Sequence, residues 1–302
     1  KNLGSQHNDS SGVLIGPGDD AGLFNAKNTD LIFSTDVSNS EIHFPKNLEP
    51  DLIAYRSCCV AASDIPACGG TLKWLSISLV TPTKKLSWLK KFAKGVRLFT
   101  NTYKIPIIGG DLIKGKECSV SVGVCGEVNQ KDFLSRDGAK VGDSIYISGK
   151  LGLAKLGLKL ITSRKKNLSK IEQTYQNKFL KPKVHTLLGK NLRKIANSCI
   201  DISDGLLGDL GHICDQSTLG AEIYLESVPF AGEYKEALTW GDDYELCFTV
   251  PESKVKKLIE VSKKIKVKIH KIGKITKKHG VRIYHQGKEI LIANQSYNHL
   301  SK

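Results

Sequence analysis

Carboxylates recur in this chain in short stretches flanked by glycine or serine. Asp19 and Asp20 lie in GPGDDAG, Ser34, Thr35 and Asp36 in STD, Asp64 in SDIPACGG, Asp111 in GGD, Asp201 and Asp204 in DISDG, and Asp242, Asp243 and Glu245 in GDDYE. Each stretch alone also suits a turn, because Asp accepts backbone N–H groups and Gly tolerates positive φ. Together they point to a shared use. Like charges gathered in a partly buried site repel one another unless a cation sits among them. Oxygen donors without neighbouring His or Cys favour Mg2+ over zinc, copper or iron, and Mg2+ commonly joins a few carboxylates to phosphate oxygens. The glycines of IIGGDLIKG would let a phosphate approach backbone N–H groups, since no Cβ stands in the way. The chemistry implied is phosphate handled through metal. It is not that of a P-loop or a dinucleotide fold, because neither G-x-x-x-x-G-K-S/T nor G-x-G-x-x-G after a first strand occurs.

The elements that must hold these acids are legible as two periodicities. Alternation of period two predicts strands at 31–36, 74–80, 119–128, 144–149, 221–225, 245–250 and 265–275. Helical spacing places Leu52, Tyr55, Cys59 and Ala62 on one stripe, and Leu89, Phe92, Val96 and Phe99 on another. A further helix opens after Gly205, with Leu206, Leu210 and Ile213 in phase. Several acids directly follow a predicted strand, which puts them at strand ends or in the loops beyond, where α/β proteins commonly build clefts. The class is α/β (α+β). Turn signals at Asp137-Gly138 and Gly142-Asp143 precede a fresh strand, so two domains are expected, 1–138 and 139–302.

Composition narrows the function classes. No stretch of the 302 residues approaches the roughly 20 apolar residues of a spanning helix, and KNLGSQHNDSSG lacks the apolar core of a signal peptide, so a cytoplasmic protein without a membrane partner is expected. The eight cysteines show no C-x-x-C spacing and mostly sit in apolar surroundings, the usage of small buried hydrophobes in a reducing compartment. The net charge of +15 would attract a polyanion, but it is mostly lysine, with few arginines and few aromatics beside it, as in KVKKLIEVSKKIKVKIHKIGKITKK. That pattern reads as solvated faces of a helix and a strand and argues against a nucleic-acid partner.

In their order along the chain, GPGDDAGLF, FSTDVSNSEIHF, AASDIPACGG, IPIIGGD, LSRDGAKVGDSIYISG, IDISDGLLGDLGHI, WGDDYELCFTV and SYNHL resemble the thiamine-monophosphate kinase family. That family belongs to the ATP-binding superfamily that also holds aminoimidazole ribonucleotide synthetase and selenophosphate synthetase. The resemblance implies a two-domain aminoimidazole ribonucleotide synthetase-like fold. Its N-terminal domain would bind ATP and Mg2+ and pair its sheet with that of a second copy in a homodimer; its C-terminal α/β domain would complete the substrate site. It implies ATP-dependent, Mg2+-assisted transfer of a phosphoryl group directly to thiamine monophosphate, giving thiamine diphosphate.

Carried over residue by residue, the metal ligands would be Asp20, Ser34, Thr35, Asp36, Asp64, Asp111, Asp201 and Asp204. ATP would meet Tyr103, Gly110, Asp111, Arg136 and Ser203, and the thiamine side His43, Asp242 and Tyr297. Asp36, Asp111 and Arg136 would carry the catalysis, the arginine's planar fork matching phosphate oxygens. Tyr297 would offer a π face to the cationic heterocycle. The chain departs from the family at Asp242, where Glu is usual, at Leu112 for a Thr, at Ala61 for an Asn, and at Asn298 and Leu300 for Asp and Phe; none of these removes a metal carboxylate. Two other readings compete: another ATP-using enzyme of the superfamily, and a basic nucleic-acid-binding protein that keeps the fold.

Overall fold

A computed structural model describes residues 13–15, 19–25 and 30–292. It divides into two compact units. One holds the described residues up to Pro66 with Gly70–Lys131 and Leu180–Thr186; the other holds Ala67–Gly69, Asp132–Phe179 and the described residues from Leu187 onward. Among the described residues no helix is long and apolar enough to cross a membrane.

The first unit is built on a six-stranded sheet of β1 (Val13–Ile15), β2 (Gly22–Asn25), β3 (Asp30–Asn39), β4 (Thr71–Thr81), β5 (Ile107–Lys114) and β6 (Ser119–Val128), in the order β1-β2-β3-β6-β4-β5. Every pairing is antiparallel except β4 with β5. Helices α1 (Pro50–Ala67) and α2 (Leu86–Tyr103) bring the covering layer. Because α1 is apolar nearly all round, it is buried along most of its length, as such a helix must be. Only α2 shows a clean stripe, with Phe92, Val96 and Phe99 buried as the spacing predicts. The two helices approach so closely that a Cβ on Gly95 would lie 2.0 Å from the Asp51 carbonyl oxygen. Ile32, Leu75, Leu79, Val120, Val122 and Val124 are buried, whereas the opposite face leaves Phe33 and Val37 about half exposed, at 53% and 44%.

The second unit carries a seven-stranded sheet of β7 (Ser144–Ser148), β8 (Ser198–Asp201), β9 (Gly220–Tyr224), β10 (Leu246–Val250), β11 (Ile269–Thr276), β12 (Gly280–His285) and β13 (Lys288–Ile290). Its order is β13-β12-β9-β11-β7-β10-β8, antiparallel except for β12 with β9. Helices α3 (Leu153–Thr162), α4 (Lys170–Leu180), α5 (Thr186–Leu192), α6 (Leu206–Ser217), α7 (Tyr234–Thr239) and α8 (Glu252–Ile265) complete the chain. Successive residues of one strand enter two different cores: Ile145 and Ile147 of β7 join Leu206, Leu210 and Ile213 of α6, while Tyr146 joins Leu188, Phe248 and Leu258. A strand covered on both faces reads as a continuous apolar run, which is why SIYIS and LCFTV are so hydrophobic.

Two expectations need correction. The alternating run 265–275 does not begin as a strand: α8 extends to Ile265 and closes on Lys266 in the left-handed region (φ 55°), so β11 starts only at Ile269. The lysines at 256, 257, 263 and 264 are exposed on α8, the solvated face read from the sequence. Secondly, the stretch IIGGDLIK, where no strand was expected, forms one. It is β5, the edge strand of the first sheet, with all eight residues exposed. All eight cysteines are buried and outside any disulfide, and burial pushes the Cys58 thiol up to about 12 and those of Cys118 and Cys125 to about 11.

Candidate active site

In the first unit, β3 presents Ser34, Thr35 and Asp36 from its interior rather than from its end, so the expected position at a strand terminus does not hold for this acid. Strand alternation sends Ser34 and Asp36 to the face covered by α1 and Thr35 to the open face. Asp64, near the C-terminal end of α1, meets Ser34 there: the serine Oγ donates to Asp64 Oδ2 at 2.5 Å. Asp20, half-buried just before β2, brings a carboxylate oxygen within 4.8 Å of one on Asp64. Three sequence-predicted ligands from three separate elements therefore converge. Two ionised carboxylates this close disfavour each other's charge, and a divalent ion removes that penalty. Carboxylate and hydroxyl oxygens alone are hard donors, the set that fits Mg2+.

Asp111 is placed differently. It too lies inside a strand, β5, and its Oδ1 accepts the Leu112 N–H at 2.8 Å. The sheet register sets Asp36, Val122, Ile77 and Gly110 in one row across the strands, and Val37, Ser121, Ser78 and Asp111 in the next. Three strand spacings thus separate STD from GGD, roughly 14 Å. Asp111 also shares the open face with Thr35, not the face of Asp36. Within one chain the structure does not bring Asp36 and Asp111 together. The second glycine of GGD has a packing reason as well, because a Cβ on Gly110 would lie 2.0 Å from the Ile77 carbonyl oxygen.

His43 follows β3 in a turn closed by its own N–H to Asn39 O at 2.9 Å, and its Nδ1 accepts the Asn39 N–H at 3.0 Å. That bond leaves Nε2 as the protonated nitrogen of the neutral ring. Tyr103 ends α2. Its hydroxyl accepts the Val184 N–H at 3.1 Å, its ring lies 4.7 Å from that of Phe99, and burial holds its hydroxyl well above the usual range, so the phenol stays neutral.

In the second unit the DISDG and GDDYE stretches are zipped together. Ile202 N–H donates to Glu245 O at 2.7 Å, Tyr244 N–H to Ile202 O at 2.9 Å and Asp242 N–H to Ser203 O at 2.9 Å. Gly241 permits the approach, since a Cβ there would fall 1.7 Å from Ser203 O. This brings Asp201 at the end of β8, Ser203 and Asp204 in the following loop, and Asp242 into one neighbourhood. Asp242 has φ 72°, and its Oδ1 accepts from the Tyr244 hydroxyl at 3.4 Å. Arg136 is half-buried in the segment leading to β7, and its carbonyl accepts from Ser217 Oγ at 3.1 Å. Tyr297 lies outside the described residues.

The sequence grouped Asp243 and Glu245 with the other acids around a shared cation, but both are buried and bonded within the second unit. Asp243 caps α3: its carboxylate accepts the Gly152 N–H at 2.7 Å and the Ala154 N–H at 3.3 Å. Glu245 accepts from Ser148 Oγ at 2.5 Å and pairs with Lys178. Burial pushes the Asp243 carboxyl up to about 7, against the lowering pull of the two amides and Lys178. The folded protein therefore keeps a proton that the unfolded chain releases near pH 4. Stability from this group is complete below about pH 4 and is lost as pH rises toward 7, by up to about 1.4 kcal/mol per pH unit. Urea titrations of the wild type and Asp243→Asn at pH 5 and 7.5 should show the wild type losing roughly 2 to 3 kcal/mol relative to the variant. An offset that stays constant with pH would contradict the assignment.

Comparison with known proteins agrees with this architecture. Residues 18–128 match the AIR synthase related protein N-terminal domain and residues 140–286 its C-terminal domain. The chain is 39% identical to the thiamine-monophosphate kinase of Buchnera aphidicola subsp. Schizaphis graminum, over 95% of this chain and 92% of the relative. A solved structure described as AaThiL complexed with AMPPCP and TMP superposes with a TM-score of 0.83 at 30% identity, covering 93% of this chain and 91% of that one. The thiamine-monophosphate kinase of Stenotrophomonas maltophilia K279a gives 0.82 at 32% identity, with 92% of each chain covered. With both halves matched in order and the relatives covered almost end to end, this chain belongs to the thiamine-monophosphate kinase family.

Proposed function

We propose that the chain transfers the γ-phosphoryl group of ATP to the phosphate of thiamine monophosphate, giving thiamine diphosphate and ADP. The observation that carries the reading is the convergence of Ser34, Asp64 and Asp20 from a strand, a helix and a loop into one hard-donor set. The AaThiL complex, which holds AMPPCP and TMP, supports ATP and thiamine monophosphate as the substrates. Asp20, Ser34, Thr35, Asp36, Asp64, Asp111, Asp201 and Asp204 are the residues we assign to Mg2+. When bound, Mg2+ neutralises the charge of the polyphosphate and of the transferring group.

The acceptor oxygen is already ionised at neutral pH, so no side chain has to take a proton from it. The protein's part is to hold two anions in line. Arg136 and Ser203 are assigned to ATP, as are Gly110 and Asp111. Tyr103 would meet the nucleotide with its ring, since its hydroxyl is engaged with Val184. His43, with Nδ1 bonded to Asn39, offers Nε2–H to the thiamine side as a neutral donor, and Asp242 and Tyr297 are assigned to the same substrate. The shorter side chain of Asp242 weakens the thiamine contact rather than the phosphoryl chemistry.

We assign a homodimer and a cytoplasmic location to the protein. The dimer is supported by β5, which among the described residues is an edge strand: it exposes Ile107, Ile108, Leu112 and Ile113 along an edge that no described strand pairs, the arrangement that pairs with another chain. Because a chain's own Asp111 lies three strands from its STD stretch, we assign Asp111 to the site of the other copy in that dimer. The test is an assay of diphosphate formation with ATP, Mg2+ and thiamine monophosphate, run beside unphosphorylated thiamine. Turnover should require the monophosphate and Mg2+. Turnover of thiamine but not of its monophosphate would refute the acceptor, and none with either would refute the kinase.

A further inference from the structure

The loop that carries Ser203 and Asp204 is shaped by a residue outside it. Asp209, on the first turns of α6 and only 2% exposed, reaches back over the helix start. Its Oδ2 accepts three consecutive amides: Ser203 N–H at 3.0 Å, Asp204 N–H at 3.1 Å and Gly205 N–H at 3.1 Å. The other edge of the loop is fixed as firmly, with the carbonyls of Ile202 and Ser203 accepting from Tyr244 and Asp242. Gly205 makes the bend with φ 111°, where a Cβ would meet the Thr239 carbonyl carbon at 2.6 Å.

Successive N–H groups converging on one point form a concavity that binds anions, phosphate among them. Here the concavity is filled by the protein's own carboxylate. The amides are thereby withdrawn from any phosphate, and the segment turns its half-buried side chains, the Ser203 hydroxyl and the Asp204 carboxylate, to its surroundings instead.

We propose that Asp209 is a positioning residue for the kinase reaction: by gathering the amides of 203–205 on one buried oxygen, it fixes the directions of Ser203 and Asp204 and makes this segment grip nucleotide by side chain and metal rather than by bare amides. The inference rests on the function proposed above, in which Ser203 and Asp204 serve ATP and Mg2+.

The test is a double-variant cycle on Asp204→Asn and Asp209→Asn, reading KM and kcat for ATP and calorimetric ATP affinity in Mg2+. Each single variant should raise KM and weaken binding about tenfold. The pair should be no more than about threefold worse than either alone, whereas independent effects would multiply to about a hundredfold. A purely structural Asp209 would lower kcat in proportion to the folded fraction and leave KM and affinity unchanged, which overturns the proposal. If Asp204→Asn itself has no effect, the functional reading of the loop fails; if it has one and Asp209→Asn has none, only this inference fails. Should Asp209→Asn not fold, hydrogen exchange of the wild type decides. The amides of 203–205 should be protected at least a hundredfold beyond a solvated loop, and rapid exchange would overturn the proposal.

Discussion

Asp64→Asn is expected to lower kcat about a thousandfold while leaving the protein folded. The size follows from what the residue does. Losing one fixed positive charge or donor that stabilises a transferring group typically costs a factor of about a hundred to a thousand, and Asp64, with Asp20 and Ser34, would hold the Mg2+ that supplies such a charge. Stability should move the other way. The amide is nearly isosteric, its Oδ1 can still accept from Ser34, and the repulsion from Asp20 disappears. A midpoint of thermal unfolding equal to or above the wild type, together with the lost turnover, is the signature of a site strained for function. Steady-state kinetics and a melting curve on the same sample check both halves.

The second large effect concerns two variants that should each be inactive alone and active when mixed. Asp36 and Asp111 stand in adjacent rows but on strands with two others between them and on opposite faces of the first sheet, so one copy of the chain does not unite them. If a second copy supplies Asp111, a dimer of one Asp36→Asn and one Asp111→Asn chain holds one site with both defects and one with neither. After unfolding and refolding the two together, about a quarter of wild-type activity should return, because half of the dimers are mixed and each has one intact site. Activity that stays at the level of the separate variants would show that both acids serve the same chain's site.

Much of the framework was legible because its periodicities are unambiguous. Strand β3 and strand β6 alternate cleanly, and α2 shows its Phe92, Val96 and Phe99 stripe because only one of its sides is buried. That no strand was expected at β5 has a physical cause. An edge strand exposed on both faces has no reason to alternate, and its two glycines imitate a loop. Asp36 was expected at the end of a strand over 31–36, whereas β3 runs on to Asn39, since nothing in the sequence distinguishes an acid that ends a strand from one that punctuates it. At 265–268 the alternation of Ile265 and Val267 with lysines concealed the end of α8, which the left-handed Lys266 marks.

The acids themselves were found by residue type and spacing, but their grouping was not. Ser34 and Asp64 are thirty residues apart and meet only because α1 folds back over β3. Asp209 carried a signal that went unused: an acid four residues after Gly205, at the start of an apolar helix, in position to reach back over the loop. Asp243 and Glu245 share a motif with Asp242 yet point into the interior, where burial and helix capping rather than substrate explain them.

The central claim is that side-chain oxygens of this chain bind nucleotide through divalent ions. Calorimetric titration of ATP into the wild type, in Mg2+ and then in EDTA, tests it most directly. Affinity should fall at least a hundredfold without the ion, and Asp64→Asn in Mg2+ should bind ATP as weakly as the wild type does in EDTA. Equal affinity in Mg2+ and EDTA would contradict it, for then the polyphosphate is held by cationic side chains and backbone amides alone.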